Sequence, residues 1–190
     1  MVSKDLQATP ARGLSRKRLF VFILIIIATF ILQPVAVPTL NSSKPISEGD
    51  AAPTFALQDM EGIMRDLENH IGNDVIMLDF WSIYCVACVQ ALQKLIELYE
   101  KYKDQGFVVY GIDLDSFSPK RVQRFISGLG YEITYPVIVD RKREVAGAYK
   151  VNILPTTILI GKNGKVEMFH IGYKPGDEDE FDHKIKKLLN

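Results

Sequence analysis

The sequence predicts an α/β domain carried behind an apolar N-terminal segment, and three observations support that prediction. From about residue 54 onward, strand-length apolar runs alternate with amphipathic helical stretches. Near the C-terminus, Lys162-Asn163-Gly164 separates two apolar runs, and Asn-Gly is a strong hairpin signal. Far upstream, Leu19–Leu32 (LFVFILIIIATFIL) holds Thr29 as its only polar residue, directly after Arg16, Lys17 and Arg18.

That N-terminal pattern reads as a basic segment over residues 1–18 and a signal anchor, a single transmembrane helix, over residues 19–40. The uninterrupted run is shorter than the roughly 20 apolar residues a spanning helix needs, but QPVAVPTL extends it to Leu40. Small residues in a cleavage pattern are poorly represented, so a retained anchor is expected rather than a removed signal peptide. The basic flank stays in the cytoplasm, which places the remainder of the chain outside. Residues 41–53 (NSSKPISEGDAAP) read as a polar linker, and residues 54–190 as the domain. Up to Lys44 there are six basic residues and one acid; from Pro45 on there are 17 basic and 22 acidic residues. A mildly acidic domain argues against nucleic-acid binding, which needs a basic surface.

Taken in order, FAL (residues 55–57) and IMR (residues 63–65) flank a turn and predict a small hairpin. VIMLDFW (residues 75–81) predicts a central buried strand. A helix follows, with Val89, Leu92, Leu95, Ile96, Tyr99 and Tyr102 on one face and Gly106 as its stop. FVVYGIDL (residues 107–114) predicts the next strand. Ser118 and Pro119 signal a cap and first turn of a second helix, closed by Gly130. A strand over residues 135–139, a short helix over 145–149, strands over 156–160 and 166–171, and a final helix capped by Asp177 complete the series. Alternation of this kind predicts a sheet covered on both faces, with the closing hairpin adding antiparallel edge strands.

The chain has two cysteines, Cys85 and Cys88, in one C-x-x-C between strand and helix. Cys85 therefore sits at a helix N-terminus, where free N–H groups and the dipole favour a thiolate. Cys88 lies one turn in, placed to resolve a mixed disulfide formed on Cys85. A zinc site would need four ligands, and His70, His170 and His183 have no ligand spacing, so no metal and no cofactor is expected. A loop this short removes little chain entropy, which disfavours a purely structural disulfide. An exported domain, where disulfides persist, makes redox chemistry the favoured reading.

LDFWSIYCVACVQALQKL (residues 78–95) resembles the active-site segment of the thioredoxin superfamily, with Trp81 four residues before Cys85. NILPTTILIGKNGKV (residues 152–166) resembles the superfamily's cis-proline segment, with Pro155 in that position and Leu154 before it. EGDAAPTFALQDMEG (residues 48–62) resembles the opening of the TlpA/ResA-like branch, so the resemblance covers roughly Glu48 to the C-terminus. It implies a thioredoxin-like fold with an N-terminal β-hairpin extension, and a thiol–disulfide oxidoreductase anchored in the bacterial cytoplasmic membrane with its domain outside. It further implies Trp81, Tyr84, Leu154 and Pro155 as substrate-binding residues, protein disulfides as substrates, and a membrane electron-donor protein. Asp79 matches the buried carboxylate of thioredoxin, where burial would raise its pKa and suit it to relay a proton to Cys88. Two departures matter. Val86-Ala87 puts no charge between the cysteines, which points to a reducing couple, and Ala91 stands where the apocytochrome-reducing branch has a Glu, which weakens a link to cytochrome c maturation. Two alternatives stay open: a peroxiredoxin-like peroxidase, and a non-catalytic assembly factor binding through the cis-proline groove.

Overall fold

A computed structural model describes residues 46–190. The signal-anchor segment lies outside the described residues, and among those described no helix is long and apolar enough to cross a membrane.

Two short strands, β1 (Ala56–Gln58) and β2 (Met64–Asp66), pair antiparallel as the first hairpin. Buried Asp59 organises its turn: Oδ1 accepts from the N–H of Glu61 and of Ile63, and Oδ2 from Arg65 Nε at 2.6 Å. Strand β3 (Val75–Trp81) follows, buried at all seven positions, then helix α1 (Val86–Tyr102). After β4 (Phe107–Asp113), α2 (Pro119–Ser127), β5 (Val137–Val139) and α3 (Glu144–Ala148) come β6 (Thr156–Ile160), β7 (Val166–Ile171) and α4 (Asp177–Leu189).

The main sheet runs β5-β4-β3-β6-β7, with β3, β4 and β5 parallel and both β6 and β7 antiparallel to their neighbours. β3 is thus central, as a seven-residue apolar run requires. Its even-numbered residues Ile76, Leu78 and Phe80 pack with Tyr110, Ile158, Val145 and Tyr149 on one face. Val75 and Met77 point the other way, toward Ala91, Leu95 and Phe181 of α1 and α4. Each of the buried Val, Leu, Ile, Met and Phe side chains among these contributes roughly 1.5–3 kcal/mol on burial.

Several local details depart from the sequence reading. β6 lies inside the sheet beside β3, so only β7 of the closing hairpin is an edge strand. The inner face of α1 is Cys88, Ala91, Leu92, Leu95, Leu98 and Tyr102. Leu92, Leu95 and Tyr102 of the expected face are buried, whereas Val89, Ile96 and Tyr99 are half-buried at its edge and Cys88, Ala91 and Leu98 complete the inner side. β5 starts at Val137, two residues later than expected; Pro136 has no N–H to give a ladder. α2 ends at Ser127, before Gly128, and Ser118 takes the cap position without a side-chain cap bond. Gly176, not Asp177, is the cap of α4. The Asp177 carboxylate instead closes the preceding loop, accepting from Lys174 N–H at 2.9 Å and facing His170 Nε2 at 3.1 Å. Composition assigned residues 49–52 to a linker, yet they lie along the β6–β7 hairpin: Gly49 N–H donates to Val166 O, Val166 N–H to Asp50 O, and Ala52 N–H to Gly164 O.

Gly106 ends the helical stretch in the left-handed region (φ 84°), and an added Cβ would meet Asp74 Oδ1 at 3.3 Å. Gly106→Ala is expected to lower the stability by about 1 kcal/mol, read as a lower urea midpoint at an unchanged slope.

Candidate active site

β3 ends at Trp81, and the chain then turns through Ser82–Tyr84 to Cys85, the N-cap of α1. A carboxylate 33 residues away in sequence sets that turn. Asp115, just past the end of β4, accepts from Ser82 Oγ at 2.8 Å and from Ile83 N–H at 2.9 Å. Ser82 in turn accepts from Tyr84 N–H through its hydroxyl and from Cys85 N–H through its carbonyl, at 3.2 and 3.0 Å. The two ends of β3 and β4 are also linked by Leu114 N–H donating to Trp81 O. Cys85 is therefore placed by a chain of hydrogen bonds rooted in the sheet.

Cys85 and Cys88 form a disulfide, with Sγ–Sγ 2.06 Å and Cα–Cα 5.2 Å. Cys85 is half-buried while Cys88 is 1% exposed, so only the first offers its sulfur to a partner. Cys88 N–H donates to Cys85 Sγ at 3.2 Å. In the reduced protein the same N–H and the helix terminus favour a thiolate at Cys85.

Around the pair, buried Trp81, Leu92, Val122 and Val137 form a cluster with Cys88, and Leu154 and Met60 pack against it. Leu154–Pro155 is a cis peptide bond, as the sequence led one to expect. Pro155 is buried and Leu154 half-buried, with exposed Ile153 beside them. Thr156 Oγ1 donates to Ile153 O at 2.7 Å, fixing this loop at the start of β6. Leu154 and Trp81 thus meet around the cysteines. Met60, whose N–H donates to Val137 O, brings the tip of the N-terminal hairpin to the same cluster.

Asp79 is 1% exposed, and its side chain shares the face of Met77 and Trp81. The helix residues facing those two neighbours are Ala91 and Leu95 for Met77, Cys88 and Leu92 for Trp81, so Asp79 lies beneath the first turns of α1. Neither carboxylate oxygen has a hydrogen-bond partner, and the same holds for two other buried groups nearby, Trp81 Nε1 and Tyr135 Oη. Gly111, opposite Asp79 in the β3–β4 register, makes room for them. A Cβ there would meet Tyr135 Cε2 at 3.1 Å and Trp81 Nε1 at 3.4 Å. Burial pushes the Asp79 pKa up to about 7, tempered by the neighbouring Thr157 hydroxyl, which makes no well-formed hydrogen bond. Tyr135 is held well above its usual value, first by burial and then by Asp79. Behind the active-site turn, burial and then the nearby Asp115 carboxylate push fully buried Asp113 up to about 8.

Tyr84 is 59% exposed and stands beside Cys85. Its ring meets Phe117 edge-on at 5.9 Å, and Arg121 donates to its hydroxyl. Phe117 and Arg121 escaped the sequence reading; a lone aromatic in the polar Asp115–Ser118 loop was the available signal. His70 bonds Asp74 and Tyr110 near the other end of the sheet, His170 faces Asp177, and His183 is exposed, so none joins the cysteines.

Residues 48–169 match the profile of the AhpC/TSA family. Among curated proteins, the thiol-disulfide oxidoreductase ResA of Geobacillus thermodenitrificans is 34% identical over 128 residues, 67% of this chain and 71% of that protein. ResA of Bacillus subtilis is 31% identical over 153 residues, 80% of this chain and 83% of that protein. Among solved structures, one described as the thiol:disulfide interchange protein DsbE of Chlorobium tepidum aligns with TM-score 0.70 and 32% identity, covering 76% of this chain and 99% of that one.

The buried carboxylate gives a pH signature. Because folding raises the pKa of Asp79 from 3.8 to about 7, the folded state holds its proton over a range where the unfolded state has lost it. The corresponding stability is complete below about pH 4 and is lost as the pH rises through about 7. At about 1.36 kcal/mol per pKa unit this amounts to roughly 4 kcal/mol at most. Asp79→Asn is expected to raise the melting temperature at pH 8 relative to the native chain, with the gap closing toward pH 5. An equal gap at both pH values would contradict the assignment.

Proposed function

The chain belongs to the AhpC/TSA family, and from that premise we propose that it reduces disulfide bonds in exported proteins, with Cys85 as nucleophile and Cys88 as resolving thiol. It is a thiol–disulfide oxidoreductase of the ResA and DsbE type. The observation that carries the proposal is the asymmetry of the Cys85–Cys88 disulfide: a half-exposed sulfur at a helix N-cap joined to a buried one.

In the proposed reaction the Cys85 thiolate attacks one sulfur of a substrate disulfide. The substrate S–S bond breaks, a Cys85–substrate bond forms, and the departing substrate sulfur takes up a proton. Cys88 then passes its proton to Asp79 and attacks Cys85 Sγ, releasing the second substrate thiolate, which is protonated in turn. Two electrons move to the substrate, and the protein is left with the Cys85–Cys88 disulfide. An Asp79 carboxyl group poised near neutral pH suits this transfer, since a relay works best when its pKa lies near the working pH. Exposed Tyr84 and half-buried Leu154 are assigned to the seat of the substrate chain, whereas Trp81 and Pro155, expected to share in it, are buried and support that seat from behind. No cofactor takes part.

Returning two electrons and two protons to the pair requires a donor, which we assign to a membrane protein that passes reductant across the bilayer. This follows from placing the domain on the outer side of the bacterial cytoplasmic membrane, tethered by the apolar run after Arg16–Arg18. The setting is assembly of exported redox proteins, cytochrome c maturation among them. Ala91, which offers no carboxylate on the inner face of α1, argues for a substrate range not confined to apocytochrome. The peroxidase alternative is less well supported, because Ser82, Ile83 and Tyr84 precede Cys85 and supply no Thr there.

Cys88→Ser is expected to accumulate a mixed disulfide between Cys85 and the physiological substrate in cells, visible on non-reducing gels and absent from the Cys85→Ser chain. Failure to trap any protein would reject protein disulfide reduction. With an uncharged Val86-Ala87 spacer, the midpoint potential measured against glutathione or thioredoxin buffers is expected below about −200 mV; a value near about −120 mV would mark a strong oxidant instead.

A further inference from the structure

Beside Cys85 an open groove of about 810 Å³ runs between the Ser82–Tyr84 turn and α2. Ile83, Tyr84 and Phe125 give it apolar walls, and Lys120, Arg121 and Arg124 line its α2 side. All three cations are exposed, and none makes a salt bridge with a carboxylate among the described residues. Their position is unusual in one way. Lys120 and Arg121 stand in the first turn of α2, where the helix dipole favours acids, and that turn contains none. Cations placed against the dipole do nothing for the helix itself. Arg121 is held in place: its guanidinium lies 4.1 Å from the Phe117 ring centroid and 5.6 Å from that of Tyr84, and it donates to the Tyr84 hydroxyl. Tyr84, 59% exposed, and Val86, 74% exposed, carry this surface up to the reactive sulfur.

We propose that this groove selects protein substrates whose disulfide is flanked by an acidic segment, the Lys120–Arg121–Arg124 cluster receiving the carboxylates while the chain crosses Tyr84 toward Cys85. The inference rests on the proposed disulfide exchange at Cys85 and adds to it the charge class of the partner. An acidic segment fits because none of the three cations has a carboxylate partner among the described residues, the apolar walls suit a polypeptide, and complementary charge accelerates encounter.

The test uses the full-length chain in neutral detergent, reduced and freed of reductant, with three synthetic peptides. Each holds one intramolecular disulfide flanked by Glu, Gln or Lys residues, and formation of the Cys85–Cys88 disulfide is followed after acid quenching. The Glu-flanked peptide is expected to react roughly tenfold faster than the Lys-flanked one at low ionic strength, within the range of electrostatic steering. The ratio should fall toward one in strong salt. In a K120E/R124E chain the ranking should invert, and in K120Q/R124Q it should vanish, which separates the groove from any charge effect intrinsic to the peptides. Equal rates for the three peptides, or a ranking untouched by both double variants, would overturn the inference. So would a preference confined to oxidised glutathione, a small anionic disulfide. No exchange with even the Gln-flanked peptide would instead sink the proposed reaction itself, so the two failures are distinguishable.

Discussion

Burial of β3 on both faces is the constraint from which the site follows. Paired to β4 on one side and β6 on the other, with α1 and α4 on one face and α3 with the N-terminal hairpin residues on the other, this strand has no freedom to shift register. A slip by one residue would send Ile76, Leu78 and Phe80 to the wrong face. Because the strand cannot move, the residue at which it ends cannot move either. Trp81 therefore holds Cys88 and Leu92 in place, and the short turn beyond it delivers Cys85 to the helix N-cap. The Asp115 carboxylate completes the arrangement by holding Ser82 and Ile83 from the end of the next strand.

The same rigidity makes the polar groups inside it costly. Asp79, Trp81 Nε1, Tyr135 Oη and one oxygen of Asp113 are buried without hydrogen-bond partners. Each such group costs on the order of 1–3 kcal/mol. A domain optimised for stability alone would fill these positions with apolar side chains. Three of the four, Asp79, Trp81 and Tyr135, gather around Gly111, on the side of the sheet that faces α1. Stability given up there is consistent with a site that must exchange protons when its disulfide opens and closes.

Features encoded over a few residues were legible in the sequence. The seven apolar residues of β3, the C-x-x-C at the strand–helix junction, the Asn163-Gly164 hairpin and the Leu154–Pro155 loop all carry their signal in adjacent positions. Asp79 was legible too, because a lone acid in an apolar run stands out. What stayed hidden depends on groups far apart in sequence. The Asp115 tether spans 33 residues and the Arg121–Tyr84 bond 37, and nothing local distinguishes these side chains from ordinary surface charge. The inner face of α1 is legible at Leu92, Leu95 and Tyr102 but not at its small residues. A hydrophobic stripe counts large residues, whereas Ala91 and Cys88 earn burial through closeness to the sheet. Asp177 and Ser118 show that a residue with the right chemistry for a cap need not supply the cap bond when a glycine or an open turn serves instead.

The order of the elements also explains why substrate recognition and thiol chemistry can vary separately. Cys85, Cys88 and Asp79 are positioned by β3 and α1, whose packing leaves little tolerance for change. The groove that approaches Cys85 is bordered by α2, where Val122 is the one fully buried anchor and Lys120, Arg121 and Arg124 face outward. Charges on such a helix can be exchanged with little cost to the fold, since exposed substitutions usually shift stability by no more than about 0.5 kcal/mol. A fixed reactive pair beside a readily altered wall would allow one scaffold to keep its redox chemistry while, under the proposed acidic-segment selection, changes in α2 retune its choice of partner.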